Sequence, residues 1–295
     1  MPTIAVTGAT GNLGGLVVEN LIASKVPAAD VIPLVRSEQK AEPFAARGMA
    51  PRVASYDDPE GFARALAGVD KLVLISPPEL DNAKRLHQLH GAVMAAHGAG
   101  LGQLALVSLA DPEERPFNLE DVDLAIEHSI RAAGIPFTFL RNSVYLDELA
   151  GELAVAAATG ELLSATGSHT MNWAPRADMA AAIASAVTQD GHIGATYNLV
   201  SPEPYTYDDL AARLSEATGR PVTHRTAPAP EIVAALTAGG MGQEHAESMV
   251  RDFQGAIATG KCRTTGGDIE RLSGRSGRPT PQYLKALAER HTAAH

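Results

Sequence analysis

The sequence is poor in cysteine, in aromatic residues and in positive charge, and each shortage excludes something. Cys262 is the only cysteine, so no disulfide can form within one chain and a reducing compartment fits. Aromatic residues make up 4% of the chain, so the core has to be built from aliphatic side chains and closely packed helices. The net charge of −10 argues against a nucleic acid or an anionic membrane as partner, because both attract a basic face. No run approaches the roughly 18 apolar residues of a membrane span. The opening MPTIAVTGATG reads as a strand and a turn rather than an export signal, so a cytoplasmic location is expected.

What is present is a 295-residue chain, 45% hydrophobic, long enough for one large domain or a core with a smaller lobe. Short apolar runs alternate with helical spacing: strands are expected at 3–7, 31–35, 53–55, 71–76, 104–109 and 136–141. Helices are expected at 13–23, 59–66, 81–97 and 120–133. Strands without polar alternation, separated by helices, mean a parallel sheet covered on both faces, here a doubly wound α/β (Rossmann) sheet. The second half reads differently, with helices at 177–188, 207–218, 230–238, 245–257 and 281–291 and one strand at 196–200. A dinucleotide-binding core over 1–150 and a smaller, mainly helical substrate-binding lobe over 151–295 are expected, with 176–200 returning to the core.

Gly8-Ala9-Thr10-Gly11-Asn12-Leu13-Gly14 joins the first strand to the first helix. Gly8 allows the tight turn, Gly11 lets the backbone approach a diphosphate, and Gly14 lets helix and strand pack closely. Backbone N–H groups at the helix start and the helix dipole then face the anion. A site for NAD would carry Asp or Glu at the end of the second strand to hold the ribose 2′-hydroxyl. This chain carries Val35-Arg36-Ser37 there, with Lys40 four residues on; a guanidinium binds a 2′-phosphate where a carboxylate would repel it. The expected cofactor is NADPH.

The segments TGATGNLG, LVR, Tyr56-Asp57, LISPPE, VSL, GIPFTFLRN and RADMAAAIA follow one another in an order that resembles the NmrA-like atypical short-chain dehydrogenase/reductase family over nearly the whole chain. The resemblance implies that Thr10, Gly11, Asn12 and Leu13 cradle the pyrophosphate, and that Arg36 and Lys40 meet the 2′-phosphate. It places Asp57 near the adenine, Ser76 and Pro77 along the ribose and nicotinamide, and Asn142 beside the nicotinamide and the incoming acceptor. Ordinary short-chain dehydrogenases carry a Tyr-x-x-x-Lys pair on the helix after the fifth strand, the Lys lowering the Tyr pKa. Here Leu124 stands in the Tyr slot and His128 in the Lys slot, where an imidazole can still donate one hydrogen bond to the ribose.

The missing tyrosine constrains the chemistry. Reduction of a ketone leaves a strongly basic alkoxide that needs a positioned acid. Reduction of a quinone leaves a weakly basic phenolate, so alignment of the acceptor over the nicotinamide does most of the work. The expected function is NADPH-dependent reduction of a small quinone-like acceptor; the alternative is a regulatory protein that senses NADP(H) without turnover. Asn142 is the candidate to orient the acceptor, or else it caps the strand end through the backbone. Tyr145 either shapes the same pocket or packs, and the same two readings stay open for Trp173. A homodimer is left open.

Other constellations are set aside. Ser108 ends a strand where related enzymes carry a catalytic serine, and without a Tyr it reads as structural. His87, His90 and His97 lie along one expected helix, but nothing completes a metal-ligand spacing, so no metal is expected. Glu113-Glu114 and the acids at Asp121 and Asp123 read as a surface loop and a helix start, where negative charge favours the dipole. Arg263, Arg271, Arg275 and Arg278 read as a surface or interface feature.

Overall fold

A computed structural model describes residues 1–294 except 111, 115, 116 and 118. Seven parallel strands form its central sheet in the order β3-β2-β1-β4-β5-β6-β8. They are β1 (Ile4–Val6), β2 (Val31–Val35), β3 (Arg52–Val53), β4 (Lys71–Ile75), β5 (Gln103–Leu109), β6 (Phe137–Asn142) and β8 (Thr196–Leu199). A separate parallel pair joins β7 (Glu161–Ser164) to β9 (Thr223–Thr226). The helices are α1 (Asn12–Ala23), α2 (Glu38–Ala45), α3 (Pro59–Ala65), α4 (Asn82–Ala99), α5 (Glu120–Ala132), α6 (Ala150–Thr159) and α7 (Arg176–Thr188). Then come α8 (Tyr207–Thr218), α9 (Ala229–Ala238), α10 (Gln243–Ser248), α11 (Gly255–Ala258), α12 (Asp268–Ser273) and α13 (Pro281–Ala294).

Side chains of successive strand residues go to opposite faces, and the two core layers follow from that alternation. Ile4 and Val6 of β1, with Ala105 and Val107 of β5, pack under α1, α7 and α12. Ala5, Leu104 and Leu106 pack on the other face under α3, α4 and α5. The alanines of α7, buried from Met179 to Ala184, let that helix lie close against α1. At the far edge β8 pairs with β6, so α7 and β8 belong to the sheet layers. The remainder forms a lobe around Leu146, Leu153, Trp173, Tyr207, Leu210 and Leu284. Trp173 packs here, fully buried and edge-on to Tyr207 with ring centroids 5.5 Å apart. No helix among the described residues is long and apolar enough to cross a membrane.

Several elements were not marked by the sequence pattern. α2 contains Pro43 and buries only Ala41, so it has no apolar stripe. The pair β7–β9 is short and largely polar, and α6 is too uniformly Ala-rich to show a face. α12 packs on α7, which places part of the 151–295 segment on the core beyond 176–200. The helix read at 245–257 is present as a continuous helical run over 243–258, with the turn Met249–Gln254 between α10 and α11 π-helical.

Candidate active site

A cleft of about 370 Å³ opens at the C-terminal ends of β1, β2, β3 and β4. β1 and β4 are neighbours, but the chain leaves β1 for α1 on one face and β4 for α4 on the other. Such a switch point leaves a crevice no helix covers. Gly8 lies in the left-handed region at φ +60°, and its carbonyl accepts from the Gly11 amide at 2.8 Å. A Cβ at Gly14 would lie 2.2 Å from the Gly8 oxygen, so only glycine lets α1 start this close to β1. α1 has no side-chain cap and no acidic residue in its first turn, which leaves its first N–H groups and dipole facing the cleft. Gly8, Thr10, Gly11 and Asn12 are exposed there, while the Leu13 side chain is buried in the core, so only its backbone is on offer.

The cleft continues past β2, where Arg36 is exposed on the rim. Among the described residues no carboxylate pairs with Arg36. Lys40 is exposed one turn into α2 and is not among the residues lining the cleft. Asp57 accepts from Gln88 Nε2 at 2.7 Å, and the buried Gln88 Oε1 has no partner among the described residues. Tyr56 stacks on Phe62 and donates to the Ile75 carbonyl at 2.5 Å; burial raises its phenol above the ordinary range. These features fit a dinucleotide: unsatisfied donors for a diphosphate, a free guanidinium, and an orphaned acceptor able to meet an exocyclic amine.

Ser76 and Pro77 follow β4 along the wall of the cleft. Ser76 Oγ donates to the Val107 carbonyl at 3.3 Å and lies 3.5 Å from Asp123. Asp123 corrects the sequence reading, which left it on the surface. It is fully buried, takes Arg85 at 2.6 Å and accepts from the Leu109 amide at 3.1 Å. Burial raises the Asp123 carboxyl, and Arg85 opposes the rise. One turn on, the buried Glu127 accepts from Ser108 at 3.2 Å and pairs with Arg141 at 2.7 Å. Ser108 is thus held in a structural contact. A signal did exist: Asp123 and Glu127 are four apart and share a face with Val122, Ile126 and Ile130. His128 is exposed on the same helix and is not among the residues lining the cleft; Leu124 is half-buried.

Two further hollows share Phe117 and Val144 in their walls. Asn142, at the end of β6, is 2% exposed, and neither of its amide atoms has a hydrogen bond of good geometry. It lines a small cavity of about 20 Å³ together with Phe117, Val144, Asn172, Cys262 and Thr264. Backbone bonding is therefore not what its amide does. Phe117 and Val144 also line a larger, open chamber of about 590 Å³, with Leu80, Met249 and Phe253 on its apolar side and Glu148, Arg251 and Asp252 on its polar side. Glu120 holds the Phe117 side of that chamber by accepting from the Phe117 and Leu119 amides at 3.0 and 2.9 Å. Phe117 and Phe253 lie nearly parallel with centroids 6.2 Å apart. Tyr145 packs against the core, its ring covered by the Arg176 guanidinium at 4.4 Å; burial pushes its phenol up, and the Asn142 side chain beside its hydroxyl opposes the rise. It is not among the residues lining either chamber.

The tail arginines lie at the surface, and three of the four are in ion pairs: Arg271 with Asp268, Arg275 with Asp178, and Arg278 with Glu203, while Arg263 is exposed. Among the described residues no group of three or more His, Cys, Asp or Glu is placed to hold a metal ion.

Comparison with known proteins agrees with this geometry. The chain is 34% identical to quinone oxidoreductase 2 of Escherichia coli (strain K12) over 97% of each chain. It is 26% identical to an NAD(P)H azoreductase of Xenophilus azovorans over 99% of this chain and 100% of that one. Its fold matches the crystal structure of Citrobacter sp. triphenylmethane reductase complexed with NADP(H), with a TM-score of 0.89 and 38% identity over 97% of this chain and 100% of that one. The model of the NmrA-like family matches residues 1–264, and the chain belongs to that family.

Proposed function

We propose that the protein is a reductase that uses NADPH and delivers a hydride to a quinone or a similarly conjugated acceptor. The observation that carries the reading is the cleft itself: the glycine turn, Arg36, Ser76 and Pro77 line it together, and Arg36 has no carboxylate partner among the described residues. Phe117 and Val144 line both the Asn142 cavity and a larger hollow faced by two phenylalanines. The first N–H groups of α1 hold the diphosphate, Arg36 with Lys40 holds the 2′-phosphate, and Gln88 with Asp57 meets the adenine. When bound, NADPH supplies the hydride.

The protein's part in the reaction is orientation. Phe117 and Phe253 offer flat apolar faces to a conjugated ring, and such offset contacts are worth about 1 kcal/mol beyond burial. Asn142 donates its amide to the acceptor oxygen on which charge develops. An alkoxide product would need an acid that α5, with Leu124 and an exposed His128, does not position; a phenolate would not. The relatives, named for quinones, azo compounds and triphenylmethane dyes, support an acceptor of extended conjugation.

The test is NADPH oxidation with a panel of naphthoquinones, azo dyes and enones. A quinone-stimulated rate with NADH much the poorer donor is expected. Tight NADPH binding with no stimulation by any member of the panel would overturn the enzyme and leave the sensing role.

A further inference from the structure

The apolar pattern of residues 245–257 suits an uninterrupted α-helix, yet the turn Met249–Gln254 is π-helical. A π turn is rare and costs α-helical geometry, so something must hold it. The holder is the side chain of Gln254, fully buried. It donates to Glu152 Oε1 at 2.9 Å and accepts from the Ala165 amide at 2.9 Å. Glu152 accepts from the Tyr207 hydroxyl at 3.0 Å through its other oxygen. One amide therefore ties the π turn to α6, to the residue after β7 and, through Glu152, to α8.

The same turn supplies Met249, Arg251, Asp252 and Phe253 to the wall of the larger chamber. Relaxation to α geometry would shift the register by one residue, which rotates side chains about 100° around the axis. Phe253 would then leave Phe117. We propose that Gln254 is a positioning residue for acceptor specificity: clamped by Glu152 and Ala165, it keeps the π turn in register and so holds Phe253 and Met249 against the acceptor. The inference rests on the assignment of this chamber to the acceptor. It adds a residue that touches neither substrate nor cofactor.

The test compares wild-type protein with Gln254→Met, which keeps length and volume but cannot make the two bonds. Crystal structures of both report the register of 249–254, and steady-state kinetics report the two Michaelis constants. The variant is expected to straighten the turn and to raise KM for a naphthoquinone by about tenfold, with KM for NADPH unchanged. An intact π turn in the variant overturns the clamp. An equal rise in both Michaelis constants overturns the specificity role in favour of general destabilisation. If Gln254→Met folds poorly, Gln254→Asn, one methylene shorter, asks the same question. Should the wild-type protein reduce no quinone, the acceptor assignment falls, while the register of the variant still decides whether Gln254 holds the turn.

Discussion

The Arg85 guanidinium meets the Asp123 carboxylate at 2.6 Å, with both side chains buried behind the loop that carries Ser76. The pair ties α4 to α5 across the sheet end that forms the cleft wall, through the Leu119 carbonyl and the Leu109 amide as well. Removal of one partner leaves a buried charge with nothing to balance it. Arg85→Met is therefore expected to destabilise the protein by about 4 kcal/mol. The double variant Arg85→Met with Asp123→Leu should recover most of that loss. Urea unfolding of the two variants decides; equal losses in both would show that the pair is not coupled.

Arg36 is expected to set the cofactor preference, because it stands exposed on the rim with no carboxylate pairing it among the described residues. Arg36→Asp should weaken NADP⁺ binding by about 10- to 100-fold, the worth of a charge-assisted hydrogen bond, with little change for NAD⁺. Calorimetric titration with the two nucleotides measures this directly. An unchanged ratio would move the 2′-phosphate elsewhere.

Asn142 should separate stability from activity. Among the described residues its amide meets only the Tyr145 hydroxyl, so Asn142→Leu gives up at most one weak hydrogen bond and is expected to leave Tm nearly unchanged. If the amide donates to the acceptor, kcat with quinone falls by about 100-fold. A fall in Tm without a fall in kcat would return Asn142 to a structural role.

Glu152 predicts a pH dependence of stability. Burial raises its carboxyl from the usual 4.5 to about 7. The folded chain then keeps a proton that the unfolded chain loses. The contribution of Glu152 is fully present below pH 4.5 and is lost as the pH rises through about 7. Relative to Glu152→Gln, which has no such proton, the wild-type protein should lose on the order of 3 kcal/mol over that range. Parallel stability curves for the two proteins between pH 4 and 8 would contradict this.

Much of the fold was open to reading because it rests on local periodicity. The runs at Lys71–Ile75 and Gln103–Leu109 have no polar alternation, which only a strand buried on both faces tolerates. The glycine turn was legible for the same local reason: Gly8, Gly11 and Gly14 answer to backbone constraints within seven residues. The carboxylates went the other way. Asp123 sits in the acid-rich first turn of α5, where charge normally faces water, and Arg85, 38 residues earlier, gives no hint of its destination.

The sequence alone determined the doubly wound sheet, the glycine turn and the basic residue at the end of β2, because each depends on neighbours a few positions apart. Only the tertiary structure decided that Asp123 and Glu127 turn inward, that Tyr145 packs under Arg176, and that Phe117 and Phe253 face one chamber. It alone also placed the buried Gln254, at the end of a π-helical turn, between Glu152 and Ala165. Those outcomes depend on which distant groups meet in a space that excludes water, where an unpaired charge or amide is costly enough to override local preference.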